Sequence, residues 1–403
     1  CLPATNFALT NASLTFPTEV GSPIAATSSY ILYFGDWNSD GVTDVMSWNR
    51  SNGTNYWYIN NGALGFTQTT NPIATAQLSG SSSQLQLGDW NGDSAIDLLW
   101  WNPSNGANRW FINNKTAAPS FAQTTTLIPT SQITGSSSWI VSGDWDGDGR
   151  TDLLWYNSSG VNRFFKITTS SGPLTYSQHN GLITLPNPIG SHVVVAAEFN
   201  GDAFGDVLVS NPTLTTGGFW VFVGDGAMTF TQRPFASDLA GGAIALGDWN
   251  GDGITDVMTH RFTSGSNRFW LNDGTGQFGT VIGDPITPST IVNYVPYVGD
   301  WNADGLTDLA FHLPGTGSNR WFTTSWSAAG ALQFAYSSNP IATSLITGSG
   351  GTFGFGDWNG RSFENPMWRL ASNGSNRWWR NDAALPPDRL ASVTTGLGSS
   401  TIV

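Results

Sequence analysis

Residues 247–258 read GDWNGDGITDVM, and nearly the same phrase stands at 35–46 (GDWNSDGVTDVM), 88–99 (GDWNGDSAIDLL), 143–154 (GDWDGDGRTDLL) and 299–310 (GDWNADGLTDLA). Looser copies stand at 197–208 (AEFNGDAFGDVL) and 356–367 (GDWNGRSFENPM). Their first acidic residues are Asp36, Asp89, Asp144, Glu198, Asp248, Asp300 and Asp357. The period is therefore roughly 50 residues, too long for a one-strand solenoid rung and suited to a four-stranded propeller blade.

Each unit reads as four short strands. An apolar run enters the phrase (QLQLGDW, 84–90) and a second leaves it (DLLWW, 97–101). After a turn comes NRWFIN (108–113); a strand such as LGFTQT (64–69) and a linker such as NPIATAQLSGSS (71–82) end a unit. No long stretch has helical periodicity, so almost no helix is expected. The ends carry partial units. SLTF (13–16) is similar to ALGF (63–66), and LASVTTGLGSS (390–400) to IATSLITGSGG (341–351). The expected fold is all-β: one domain over residues 1–403, a seven-bladed β-propeller of four-stranded antiparallel blades, the last blade closed by both termini, leaving no free sheet edge.

The 403 residues carry a net charge of −13, which disfavours nucleic acid as a partner. Most of the Asp and Glu lie inside the seven phrases, so the acidity belongs to the repeat and asks for a cation. No apolar run approaches the ~20 residues of a membrane-spanning helix. The single cysteine, Cys1, excludes an internal disulfide. As the first residue it is a lipidation candidate of the bacterial lipoprotein kind, a leader cleaved before Cys being the plainer alternative.

Within the phrase, oxygens recur at positions 1, 3 and 5, glycine at 6 permits a sharp turn, and a carboxylate closes the set at 9. Hard oxygens without His or Cys suit Ca²⁺. The sets are Asp36, Asn38, Asp40, Asp44; Asp89, Asn91, Asp93, Asp97; Asp144, Asp146, Asp148, Asp152; Asp248, Asn250, Asp252, Asp256; and Asp300, Asn302, Asp304, Asp308. The second has Ser94 at position 6 and is expected to be weaker. The fourth (Glu198, Asn200, Asp202, Asp206) has Ala203 there and is a doubtful sixth. The seventh has Arg361 and Asn365 at positions 5 and 9; no ion is expected, with the guanidinium standing in. This gives about five structural Ca²⁺ ions per chain, six with the fourth loop. The competing reading is that these residues only cap tight turns.

The repeated Dx[DN]x[DN]GxxD phrase between strands resembles the FG-GAP/VCBS repeats of integrin α-subunit-like propellers. That resemblance spans nearly the whole chain. It implies a seven-bladed propeller with Ca²⁺ in hairpin loops, and leaves function open among adhesion, sugar binding, protein assembly and catalysis.

Three further positions repeat. Trp37, Trp90, Trp145, Trp249, Trp301 and Trp358 follow the first Asp and are expected to pack between blades. An Asn-Arg-aromatic triplet places Arg109, Arg163, Arg268, Arg320 and Arg377, with Tyr56 in the first unit. Beside an aromatic face and an amide, a guanidinium can hold a sugar; the alternative is an Arg that stacks on an aromatic and bonds a loop carbonyl. Four residues past position 9 the residue varies: Trp48, Trp101, Tyr156, Ser210, His260, His312, Arg369. Such variation on a fixed frame reads as a candidate ligand surface. With paired carboxylates absent outside the loops, the expectation is a non-catalytic, calcium-stabilised, secreted or cell-surface binding protein. Its partner is a glycan or a protein surface, with carbohydrate or adhesive binding first. A subunit of a surface or extracellular assembly, anchored in the periplasm or outer membrane if Cys1 is lipidated, comes second. A polysaccharide lyase or glycosidase built on His260 and His312 comes last.

Overall fold

The computed structural model describes residues 14, 16, 18–24, 28–63, 65–135, 137–168, 173–185, 193–211, 218–233, 242–360 and 364–381, with the backbone of 393–395 and 398–400. Cys1 and Arg361 lie outside the described residues.

The phrase folds as the hairpin between the first two strands of each blade. In blade 1, Ile31–Gly35 pairs with Asp44–Trp48, with Gly35 opposite Asp44. Asn55–Asn60 and then Phe66–Thr70 extend the same antiparallel sheet outward. Blades 2 to 6 repeat this order, starting at Gln84, Ser138, Val193, Gly242 and Val295. The second strands are buried along their length, as in Asp97–Trp101, because a blade covers each face. This is why they read as continuous apolar runs rather than alternating ones. First strands meet around the axis: Tyr33, Leu85, Ile140 and Val194, from four blades, line one central cleft.

Seven apolar clusters are present among the described residues, each shared by two neighbouring blades, so the core is a ring of interfaces. The tryptophan at position 2 anchors them. Trp37, Trp90, Trp145, Trp249, Trp301 and Trp358 are fully buried. Each meets the third-strand aromatic edge to face, as Trp37 does Trp57 at 4.7 Å and Trp90 does Trp110 at 5.1 Å. The outer strand of the next blade then covers that aromatic: Phe121 lies 5.0 Å from Trp57, and Phe334 lies 5.1 Å from Phe269.

The seventh sheet joins Gly351–Gly356, Asn365–Leu370 and Asn376–Arg380 to Thr18–Val20, where Val20 is opposite Trp378. Phe16 lies 4.7 Å from Trp321, the place that Phe121 holds over Trp57. Of the segment 390–400, Val393–Thr395 and Gly398–Ser400 pair with each other in a separate two-stranded sheet. Helix is confined, among the described residues, to Thr75–Leu78 and three single 3₁₀ turns, all in linkers. None is long and apolar enough to cross a membrane.

Candidate cation loops and inter-blade grooves

The loop geometry follows from two left-handed residues, at positions 4 and 6. In the third phrase these are Gly147 (φ 71°) and Gly149 (φ 81°). Elsewhere Ser39, Ser94, Ala203 and Ala303 take positive φ at the same positions, with φ from 56° to 68°. The double reversal points several backbone N–H groups inward, where the first carboxylate receives them. Asp36 accepts from the N–H of Asp40 (3.1 Å) and of Gly41 (2.8 Å); Asp248 and Asp300 likewise accept from Gly253 (2.8 Å) and Gly305 (2.9 Å). Glu198, one methylene longer, accepts instead from Asn200 and Gly201.

The carboxylate at position 9 serves the blade as well as the loop. Asp44 accepts from the N–H of Trp37 (3.0 Å) and of Asn60 (2.7 Å), which ties the loop to the end of the third strand. Asp97, Asp152, Asp206, Asp256 and Asp308 do the same. Burial pushes these carboxyls up, to about 7 for Asp44, Asp97, Asp206 and Asp256 and about 8 for Asp152 and Asp308; the N–H bonds oppose the shift. In the seventh phrase Asn365 replaces the acid, and its Oδ1 accepts from Asn381.

Neighbouring loops are zipped together. The position-8 N–H donates to the position-1 carbonyl of the adjacent blade: Thr43 to Asp357 (2.8 Å), Thr151 to Asp89 (2.6 Å), Thr307 to Asp248 (2.7 Å). The threonine hydroxyl accepts in return from the N–H of Asp357, Asp89 and Asp248. The contact is close enough to demand glycine before position 1, since a Cβ at Gly88 would stand 2.6 Å from Thr151 Cγ2.

The third loop brings its acids closest together. Asp144, Asp146 and Asp152 bring carboxylate oxygens within 4.8 Å of one another, which no other acidic group among the described residues does. Asp146 Oδ1 is buried and has no hydrogen-bond partner. In the first, second, fifth and sixth loops position 3 is Asn, and its amide donates to the position-5 carboxylate, as Asn38 does to Asp40 (2.9 Å).

The varying position is not a surface. Trp48, Trp101, Tyr156, Ser210, His260 and His312 are all buried. The Nε1–H of Trp48 donates to Leu78 O (3.1 Å) and that of Trp101 to Ile133 O (3.0 Å). His260 Nε2 lies 3.1 Å from Tyr294 O, His312 Nε2 lies 3.3 Å from Ile346 O, and Arg369 donates to Tyr30 O. Each of these side chains pins the linker to the following blade. Burial lowers the pKa of both histidines, while the carbonyl bonds oppose the shift. The expectation of a ligand surface at Trp48, Trp101, Tyr156, His260 and His312 is thus corrected: all five are buried, Tyr156 stacked on Trp139 and the other four, chemically different, bonded to a linker carbonyl.

The arginines divide. Arg163 lies 4.7 Å over the Trp155 ring and donates through Nη1 to Gln132 O (2.8 Å). Arg109 lies 4.3 Å over Trp100 and donates to Gln77 O (2.8 Å). In both blades an outer-strand glutamine, Gln178 or Gln123, donates to the side chain of that same linker glutamine (3.1 and 3.0 Å). Burial lowers the pKa of both arginines. Arg320 instead bonds Tyr294 Oη (3.1 Å) and Tyr336 Oη (3.3 Å), and Arg377 pairs with Glu19. Arg268 also has partners. The preceding asparagines are structural: Asn108 donates to Gly106 O and Ile128 O and accepts from Trp110 Nε1–H. Beside Arg163 an open cleft of about 670 Å³ is lined by Gln132, Val161, Gln178, Asn180 and Thr184.

Residues 36–100 and 89–155 match the family model of the FG-GAP-like repeat. The chain is a seven-bladed propeller, and its residues 36–155 match the FG-GAP-like repeat. No curated protein matches it. Among solved structures, a lectin of Agrocybe aegerita, described as specifically recognising non-reducing terminal N-acetylglucosamine, is similar at TM-score 0.64 and 17% identity. The match covers 89% of this chain and 87% of that chain. At that identity the likeness is one of fold.

Proposed function

We propose that this FG-GAP-repeat propeller is a calcium-stabilised extracellular protein that binds carbohydrate, without catalysis, in the grooves between its blades. The observation that carries the reading is the groove set repeated in blades 2 and 3. Each presents a guanidinium over a tryptophan with one of its five N–H donors committed to a linker carbonyl, beside two glutamine side chains. Hydrogen-bonding amides and a guanidinium in an open polar cleft suit hydroxyl and acetamido groups. The lectin likeness agrees with this reading. Burial of His260 and His312 removes the acid–base pair that a lyase would need at the surface.

Ca²⁺ would be held by the position 1, 3, 5 and 9 oxygens of the first, second, third, fifth and sixth loops. When bound it would supply positive charge to their carboxylates. The loops' role is to brace neighbouring blades through the position-8 zipper.

The test is a glycan array run in calcium, followed by titration calorimetry with N-acetylglucosamine and control sugars. Binding that falls severalfold in Arg163→Ala and is lost from multivalent surfaces in Arg109→Ala/Arg163→Ala would support the reading, because weak sites act together by avidity. A folded, calcium-loaded protein that binds no glycan would refute it and favour a protein partner.

A further inference from the structure

The chain has only two lysines, and both reach cation loops. Lys166, on the third strand of blade 3, pairs with Asp146; Lys115, just past the third strand of blade 2, lies 3.4 Å from Asp93 Oδ1. The blade-3 pair is the more enclosed, with the Asp146 side chain 5% exposed against 34% for Asp93. Asp146 is also the one acid found at position 3; the other phrases have Asn38, Asn91, Asn200, Asn250, Asn302 and Asn359 there. The loop with the extra carboxylate is thus also the one whose lysine pair is enclosed. Arg150, at position 7 of the same loop, pairs with Asp148. The ammonium of Lys166 lies in the field of Asp146, Asp148 and Asp152 together, so it stands among the loop's acids rather than beside one of them.

We infer that Lys166 is a built-in cation of the third loop, which holds Asp146 in place of an external ion and which Ca²⁺ must displace to bind there. The third loop has the densest acid of the ring, yet it is the loop that least needs a metal to hold its fold. The first, fifth and sixth loops carry three acids each and no lysine, so they depend on an added cation. Asp146 Oδ1, buried and unpartnered, is the oxygen that gains a partner when the metal enters. The ring therefore holds lysine-free first, fifth and sixth loops that fill first and a third loop, guarded by the enclosed Lys166, that fills at higher calcium, with the second loop and its exposed Lys115 between them. This inference rests on the loops being calcium sites at all.

The experiment counts bound calcium by native mass spectrometry and by chelator competition in the full chain, for the wild type, Lys166→Met and Lys166→Arg. Methionine keeps the stem and removes the charge; arginine keeps the charge. In Lys166→Met one site should bind roughly tenfold more tightly or one calcium should be gained at fixed concentration, corresponding to about 1.4 kcal/mol. Lys166→Arg should bind as the wild type does. Melting in EGTA provides a second readout: Lys166→Met should melt lower than the wild type there and regain the difference in calcium. Calcium binding by the wild type with unchanged number and affinity in Lys166→Met, or with one ion lost, overturns this inference alone. No calcium bound by any of the three proteins overturns the calcium reading, and this inference with it.

Discussion

Ser94 takes φ 67° where most of the phrases have glycine. A side chain in the left-handed region costs about 1–2 kcal/mol, and part of that returns because glycine loses more freedom on folding. Ser94→Gly is therefore expected to raise stability by about 0.5–1 kcal/mol, read as a higher urea midpoint with unchanged slope. An unchanged or lower midpoint would mean that the turn holds serine without strain. Asn108 poses the opposite case. Its side chain satisfies two buried carbonyls and the indole N–H of Trp110. Asn108→Ala strands these groups and the N–H of Ile128, which also donates to Asn108 Oδ1 (3.3 Å), for an expected loss of about 2–4 kcal/mol in the same measurement, and a loss below about 1 kcal/mol would show that water replaces them.

The element that the sequence announced most clearly is the loop. Its register, its hairpin context and its Trp at position 2 could be read because they repeat in nearly every copy. What could not be read is the partner of each residue. The varying position at 48, 101, 156, 210, 260, 312 and 369 looked like a recognition surface because its chemistry changes. In the first six blades it is buried, and at Trp48, Trp101, His260 and His312 the thing it touches, a linker carbonyl, is backbone and leaves no mark in the sequence. The left-handed residue at position 4 did carry a signal, since glycine stands there in five of the seven phrases and only Ser39 and Ala303 take positive φ without it. The carboxylates at position 9 give the loop a pH dependence. Burial raises their pKa to about 7 or 8, so the fold favours the protonated form. Stability from this source is full below the ordinary Asp pKa of about 3.9 and is lost as pH rises through the folded values. In EGTA the melting temperature should therefore fall between about pH 4 and pH 8 and level off above that. Calcium, which favours the ionised form, should flatten that fall. A chelated protein that melts independently of pH over this range would mean that the N–H bonds to these carboxylates outweigh their burial.

At the scale of the whole molecule, a ring is only as stable as its last interface. The seventh blade takes its outer strand from Thr18–Val20, some 350 residues away in sequence from the strand it covers, with Val20 opposite Trp378. Leu14 and Phe16 fill the blade 6–7 cluster, and Ile24 fills the blade 7–1 cluster. Asn376 donates to Ile24 O (2.8 Å), and Ser22 donates to Asn376 O (2.7 Å). The partial unit at 13–16 was legible as a similarity to 63–66, but the pairing that it makes is not encoded locally. A chain lacking residues 1–24 should lose more than a surface strand. Burying three large apolar side chains is worth about 1.5–3 kcal/mol each, so the expected loss is about 5 kcal/mol or more. It also leaves Asn376–Arg380 as an open sheet edge over Trp321 and Trp379, a template for self-association. The check is the urea midpoint and the size in solution, with and without a peptide of residues 12–26 added in excess. Recovery of the midpoint and of a single species on adding the peptide would show that this strand closes the ring. A truncated protein that unfolds where the full chain does would mean that six complete blades and a three-stranded seventh hold the circle unaided.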